Sequence, residues 1–301
     1  MKKQLLIAAV AASMTSVAMA DVSISGAATA NINTVSGSDT TYASDIDLKI
    51  VGKSGETSAT VDLEFKTTGE GTVTTVDNAD AGAAAVAGST SNFVKNAYIT
   101  TNIGGANIKI GDWYGSDSLL GNGGNDNTEQ LSIDYTMNGV KVQYEDQSGA
   151  DSVTVSGTVG GVAISHEMFD TKTDTKVSGS AAGVSMTYRN VDSDTDTLDA
   201  TSIEASTTVS GITLGYAKVD ANASHTSDAF FGETSFTDAT GYSVSTALAG
   251  NKVTFKAMDM DGADTNKVII SRPLAGGTFE ATFADPAAGN SSTDLELKVK
   301  F

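Results

Sequence analysis

The sequence has no cysteine and only two prolines in 301 residues. The first absence excludes a disulfide scaffold, a thiolate metal cluster and a cysteine nucleophile. The second fits a chain that is almost all strand, because proline cannot donate to a ladder of strand hydrogen bonds. Histidine is nearly as scarce: His166 falls in an alternating segment and His225 in a polar stretch beside Ser224 and Thr226. No glycine-rich phosphate loop leads into a helix, and no amphipathic helix is legible after the N-terminus. Enzymatic chemistry is therefore not expected. Basic residues are few as well, 18 against 37 acids, for a net charge of −19. So acidic a chain repels phosphate backbones, and nucleic acid is not an expected partner. Beyond the N-terminus no apolar run approaches the ~20 residues of a membrane-spanning helix.

What is present begins with a processing signal. Lys2 and Lys3 form a positive start, the stretch from Leu5 to Val17 is apolar, and Ala18-Met19-Ala20 has the small-x-small pattern of a cleavage site. Residues 1–20 are expected to be a secretory signal peptide. The mature chain, 21–301, reads as one domain, and losing Lys2 and Lys3 takes its charge to −21.

The mature chain is a succession of period-two segments. Ile46, Leu48 and Ile50 alternate with Asp45, Asp47 and Lys49; Ala59, Val61, Leu63 and Phe65 alternate with Thr60, Asp62, Glu64 and Lys66. Leu131, Ile133, Tyr135 and Met137 do so with Ser132, Asp134 and Thr136, and Leu295, Leu297, Val299 and Phe301 with Glu296, Lys298 and Lys300. Each is a strand with one apolar and one polar face. Short turn signals such as Gly104-Gly105, Asn138-Gly139, Gly160-Gly161, Ala182-Gly183 and Ala249-Gly250 separate them. Between these lie longer polar stretches, 68–91, 113–128, 192–198, 221–236, 259–265 and 285–292, in alternation with the short turns. Short turns at one end and long loops at the other describe an all-β, transmembrane antiparallel β-barrel. The segmentation gives 18 strands, with 16 as the alternative. A mean hydropathy of −0.08 is compatible with this, since half the strand residues face lipid and half face water.

Three stretches carry a family resemblance: Asp21-Val22-Ser23-Ile24-Ser25-Gly26, the segment from Gly105 to Asp112, and the end Leu295-Glu296-Leu297-Lys298-Val299-Lys300-Phe301. Over essentially its whole length the chain resembles the general diffusion porins of the Gram-negative outer membrane. The resemblance implies a water-filled channel for passive diffusion of small hydrophilic solutes and ions, a homotrimer in outer-membrane lipid, and Phe301 as the signal read by the barrel-assembly machinery. It further implies that the loop after the fifth strand folds inward as a constriction. Here that loop runs from Trp113 to Thr128, with Asp112, Asp117, Asp126 and Glu129 as its acids. Lys49, Lys66, Lys95 and Lys109 would form the basic wall facing it; Lys95 lies in a strand of ambiguous alternation. The excess of acid predicts preference for cations. The family often places arginines on that wall, whereas this chain has lysines, with Arg189 and Arg272 its only arginines. No resident cofactor is expected. The stretches 121–127 and 259–264 are rich in the oxygen ligands Ca²⁺ uses, without EF-hand spacing. Two other functions share the composition: a substrate-specific outer-membrane channel, and a non-channel acidic β-rich surface or adhesive protein. The second accounts for neither the terminal phenylalanine strand nor the alternation of connections.

Overall fold

The computed structural model describes residues 21–68, 72–75, 94–113, 128–147, 151–194, 199–225, 230–231, 236–287 and 289–301. Residues 1–20, expected to be a signal peptide, lie outside them. In chain order the strands are β1 (Asp21–Val35), β2 (Thr41–Ser54), β3 (Thr57–Thr68), β4 (Thr72–Thr75), β5 (Val94–Ile103), β6 (Ala106–Trp113), β7 (Thr128–Met137), β8 (Val140–Gln147), β9 (Ser152–Val159) and β10 (Val162–Phe169). There follow β11 (Lys172–Ala181), β12 (Val184–Ser193), β13 (Ala200–Val209), β14 (Ile212–His225), β15 (Phe236–Leu248), β16 (Asn251–Met260), β17 (Ala263–Leu274), β18 (Gly277–Pro286) and β19 (Ser292–Lys300).

All nineteen share one antiparallel sheet, but β4 pairs only with the loop end of β3. The other eighteen form a ring, because β1 pairs with both β2 and β19. The count of 18 is thus the one realised. Ring closure leaves no sheet edge, which is the condition for spanning a bilayer with strands. The seam is dense: Ala27 to Val35 pair with Lys300 to Ser292, and Asn31 Nδ2 donates to both carboxylate oxygens of Asp294 at 2.9 and 3.1 Å.

Register fixes which side each residue faces. Ile24, Gly26, Ala28 and Ile32 pair with Ile50, Leu48, Ile46 and Tyr42, whereas Ser25, Ala27 and Thr29 pair with Lys49, Asp47 and Asp45. The apolar set is outward: Ile24, Ile110, Tyr135, Met186, Leu214, Tyr242 and Phe255 are all exposed. A soluble sandwich would bury such side chains, and a membrane barrel presents them to lipid. Tyr42, Tyr144, Tyr188 and Tyr242, which the sequence alone could assign to a core or to an interfacial girdle, are on this outward face.

The eight connections at one end are all two residues long, from 55–56 to 275–276. Asn138, Ala182, Ser210 and Ala249 take φ of 50–52° and the glycines after them about 80°. Both central residues are left-handed, the hairpin geometry that matches strand twist. At the other end, strict alternation of short and long fails twice. The connections 170–171 and 261–262 are also two-residue turns. The expected loop at 259–265 is instead the ends of β16 and β17 around Asp261-Gly262. Its polar residues misled the sequence reading because strand ends that clear the lipid are free to be polar.

Asp261 organises that turn. Its Oδ1 accepts from the backbone N–H of Thr237 and of Asp238, both at 2.9 Å, and from Thr237 Oγ1 at 2.7 Å. These donors, led by the Asp238 N–H, hold its carboxyl below the usual carboxylate pKa. A depressed folded pKa stabilises the fold above the ordinary carboxylate range and loses that stabilisation as pH falls through the folded value. The melting temperature of the detergent-solubilised barrel is therefore expected to exceed that of Asp261→Asn at pH 7, with the gap closing towards pH 3. A gap independent of pH would refute the assignment.

The C-terminal residue completes the seam. Phe301 N donates to Gly26 O at 3.0 Å and Gly26 N to Phe301 O at 2.9 Å. The ring lies over Gly26, where a Cβ would come within 2.8 Å of it and 2.6 Å of Asp47 O. Deleting Phe301, or replacing Gly26 with valine, is expected to lower the yield of heat-modifiable barrel severalfold. Yields equal to wild type in refolding assays would show that the seam closes without them.

Candidate functional site: the lumen wall

The inward set on β2, β3, β5 and β6 builds one charged wall. Parity places Asp45, Asp47 and Lys49 on β2 beside Lys66, Glu64 and Asp62 on β3. Lys66 Nζ is 2.8 Å and Lys95 Nζ 3.4 Å from Glu64 Oε1. Asn96 Nδ2 donates to Asp62 Oδ2 at 2.9 Å. The carboxylates of Asp45, Asp47 and Glu64 lie within 4.8 Å of one another, with Lys66 and Lys95 beside them. Lys95 gains its inward position from an irregularity. Asp62 pairs with Asn96 and Leu63 with Val94, so residue 95 is an extra residue in the ladder. That bulge is the source of the ambiguous alternation in the sequence.

Lys109, also inward, is held differently. Its Nζ is 4.2 Å from the ring centroid of Tyr98 and 3.9 Å from that of Trp113. The rings meet edge to face at 6.2 Å. Gly111 sits between Lys109 and Trp113 with φ 141°, and a Cβ there would strike Ala97 O at 2.3 Å. Only glycine permits this close approach of β6 to β5.

A second feature lies across the ring. From β3, β14 is ten strands away in one direction and eight in the other. On β14 to β16 the inward positions are unusually small or apolar: Gly215, Ala217, Val219, Ala239, Gly241, Met258 and Met260. Phe230 and Phe231, from the connection between β14 and β15, pack on this patch together with Phe236. Phe231 and Phe236 are about 1% and 0% exposed. Phe231 meets Phe230 at 5.1 Å and Phe236 at 5.3 Å, ring centre to ring centre. Lys256 donates its Nζ proton to Phe230 O at 2.6 Å and lies over the Phe230 ring at 4.7 Å. At Gly241 a Cβ would sit 2.3 Å from Phe230, so the bare backbone is the seat for that ring. The described residues thus show an inward-turned element at 230–231.

Between these walls, Arg189 on β12 and Asp174 on β11 form a buried ion pair, with Nε donating to Oδ1 at 2.7 Å and NH2 to Oδ2. Taken round the ring, inward bases nearly match inward acids. Lys141, Lys176, Lys252 and Lys267 offset Asp134, Glu145, Glu204 and Glu280. The excess of acid stands outside the wall, where Asp192, Asp194, Asp238, Asp259, Asp261 and Asp264 are exposed at the loop end.

The expected site residues divide accordingly. Lys49, Lys66, Lys95 and Lys109 come together on one wall, but that wall is interleaved with four carboxylates and is not basic. The sequence shows the pattern, since Asp45, Asp47, Asp62 and Glu64 share the parity of the lysines. Asp117 and Asp126 lie outside the described residues. Positions 112 and 129 pair with each other on the parity of Ile110 and Leu131, the outward set, and not with Lys109 and Ser132. His166 is outward too, its Nδ1 2.8 Å from Thr175 Oγ1. Of the two stretches considered for Ca²⁺, 121–127 lies outside the described residues. In 259–264, Asp259 accepts from the backbone N–H of Gly262 in the turn, and Asp261 from those of Thr237 and Asp238 on β15. The Phe230-Phe231 pair was legible as two adjacent aromatics in a polar stretch, and its seat as a run of small residues on inward parity.

No family model matches the chain, and no curated protein matches it. Solved structures do match. A triple mutant of the Rhodopseudomonas blastica porin superposes with a TM-score of 0.55 at 15% identity, over 93% of this chain and 100% of that one. Another variant of that porin gives 0.57 at 15%, with the same coverage. Pseudomonas aeruginosa OpdK, solved with vanillate, gives 0.62 at 11% identity, over 93% of this chain and 98% of its own. The fold is that of the outer-membrane porins: a closed, membrane-spanning β-barrel.

Phe231→Ala removes a fully buried ring and is expected to cost about 3 kcal/mol locally. It should lower the temperature of heat modification, and an unchanged transition would show that the cluster is dispensable.

Proposed function

We propose that the protein is an outer-membrane porin, a water-filled channel for passive diffusion of small hydrophilic solutes and ions. The observation that carries this reading is the division of the eighteen-strand ring into an exposed apolar exterior and an interior lined by charged and hydrogen-bonding side chains. Such an interior does no covalent chemistry; it admits solutes by size and biases them by charge. The narrowing elements we assign are the charged wall at Asp45–Lys66 and the Phe230-Phe231 element across from it. Lipid is the surrounding partner. The resemblance in sequence supports a homotrimer and recognition of Phe301 by the assembly machinery, and the small outward residues Ala28 and Ala30, beside the Phe301 ring that covers Gly26, suit packing against a second copy.

Cation preference follows from the acidic mouth, since the wall itself nearly balances. Mouth charges act over roughly 10 Å at 0.1 M salt and 3 Å at 1 M. Planar-bilayer recordings are expected to show stepwise conductance. Reversal potentials under a fixed KCl ratio should indicate cation selectivity that weakens as both concentrations rise. Absent conductance from folded protein would overturn the channel; selectivity indifferent to salt would move the charge filter from the mouth to the wall. Phe231→Ala should raise unit conductance, by up to about twofold if the element bounds the narrowest section. A second reading, a channel with a preferred solute, draws support from the two aromatic irregularities in an otherwise polar lumen. A plateau in solute flux would favour it.

A further inference from the structure

The Tyr98–Trp113 pair already binds a cation, and that cation is the protein's own. Two aromatic faces over one ammonium at 4.2 and 3.9 Å make a half-cage of the kind that recognises alkylammonium groups. The cage is built rather than incidental. Gly111 has to lack a side chain for β6 to approach Tyr98, and Trp113, the only tryptophan in the chain, is buried there.

A recess adjoins the lysine that occupies it. Beside Lys109 the wall holds a recess of about 450 Å³ lined by Glu56, Asn107, Asp134, Gln143 and Glu145, among others. Three carboxylates line it; Lys109 is the cation among its described lining residues, and Lys141 Nζ donates to the lining Gln143 Oε1 at 2.7 Å. Glu145 and Asp62 are also the acids that bear most on the Lys109 ammonium, with Lys49 the one opposing charge. A small organic cation in this recess meets carboxylates along its length, and Lys109, which lines the recess, reaches from it to the two rings with its own ammonium.

We propose that this recess and cage form a docking site for small organic ammonium solutes, for which Lys109 is the intramolecular competitor. The proposal deepens the channel reading by naming a solute class. Competition serves conduction: a site in a pore has to bind strongly enough to collect a solute and weakly enough to release it. A cage with no occupant would hold an ammonium too long, and Lys109 returning to the rings expels it. The charge lost when the lysine swings away is replaced by that of the solute, so the wall keeps its balance.

Trp113 supplies a readout that does not depend on conductance. In detergent-folded protein, its fluorescence is titrated with tetramethylammonium chloride against NaCl at equal ionic strength. Lys109→Ala is expected to respond at about tenfold lower tetramethylammonium than wild type, since the tethered ammonium no longer competes for the two ring faces. Adding Tyr98→Leu to Lys109→Ala should abolish the gain. Lys109→Gln, which keeps the chain length without the charge, serves if the alanine variant fails to fold, with the same expected direction. Equal titration of wild type and the Lys109 variant, or a gain that survives Tyr98→Leu, overturns the proposal. The same proteins are recorded in bilayers with KCl. A tetramethylammonium response without any conductance would sink the channel and leave the site; conductance without the response would sink the site and leave the channel.

Discussion

A backbone placed in hydrocarbon has no water to hydrogen-bond, so every amide must find its partner inside the protein. For a chain whose described residues include no helix long and apolar enough to cross a membrane, that demand has one solution, a sheet with no edge. The seam between β1 and β19 is where the solution succeeds or fails. The first and last strands of the barrel meet there, with the 256 residues 36–291 between them to be arranged before closure. The terminal phenylalanine bonded to Gly26 and the Asn31–Asp294 bonds further along hold together strands brought from opposite ends of the sequence. Everything else, including which residues line the lumen, inherits its parity from that closure. A slip of one residue would turn the whole lysine and carboxylate set of β2 and β3 towards lipid.

Given closure, the two-residue period divides the chemistry. Outward positions supply Ile, Val, Leu and Tyr to lipid; inward positions supply a wall that is close to neutral, because acids and bases alternate within it. The same wall departs from regularity at three places: the bulge at Lys95, the close approach at Gly111 and the glycine seat at Gly241. Each departure positions a side chain that regular alternation could not. The bulge turns a lysine inward, Gly111 brings Trp113 and Tyr98 around an ammonium, and Gly241 receives an aromatic ring. These three departures lie where the lumen acquires specific contacts.

That distribution explains what could be read from the sequence. Strand number, antiparallel order and the inward or outward assignment of Lys49, Lys66 and Lys109 all depend on period two and on X-Gly turns, which are local signals. The partners of those lysines were equally visible, since Asp45, Asp47, Asp62 and Glu64 lie two residues apart on the same face. Attention to bases alone concealed them. The parity of Asp112 was harder, because Gly-Asp-Trp at a strand end looks like a loop start, yet β6 continues through it to Trp113. The turn at Asp261-Gly262 was mistaken for a loop because polarity outside the lipid boundary no longer distinguishes strand from coil. The Phe230-Phe231 contact is long-range in space, and periodicity says nothing about where a connection settles.

The two-residue turns at 170–171 and 261–262 give the barrel mouth an uneven height. Where β10 meets β11 and where β16 meets β17, the wall stops as soon as its strands do, with no loop rising above it. Beside the longer connection 36–40 these are notches. At the second notch Asp238, Asp259, Asp261 and Asp264 crowd the lip. A cation approaching the lip there has a two-residue turn to pass and meets negative charge as it does so. The entrance has a preferred side of approach, and in a multi-subunit assembly the orientation of that side relative to its neighbours would decide whether the pores draw from separate regions of solution or from a shared one.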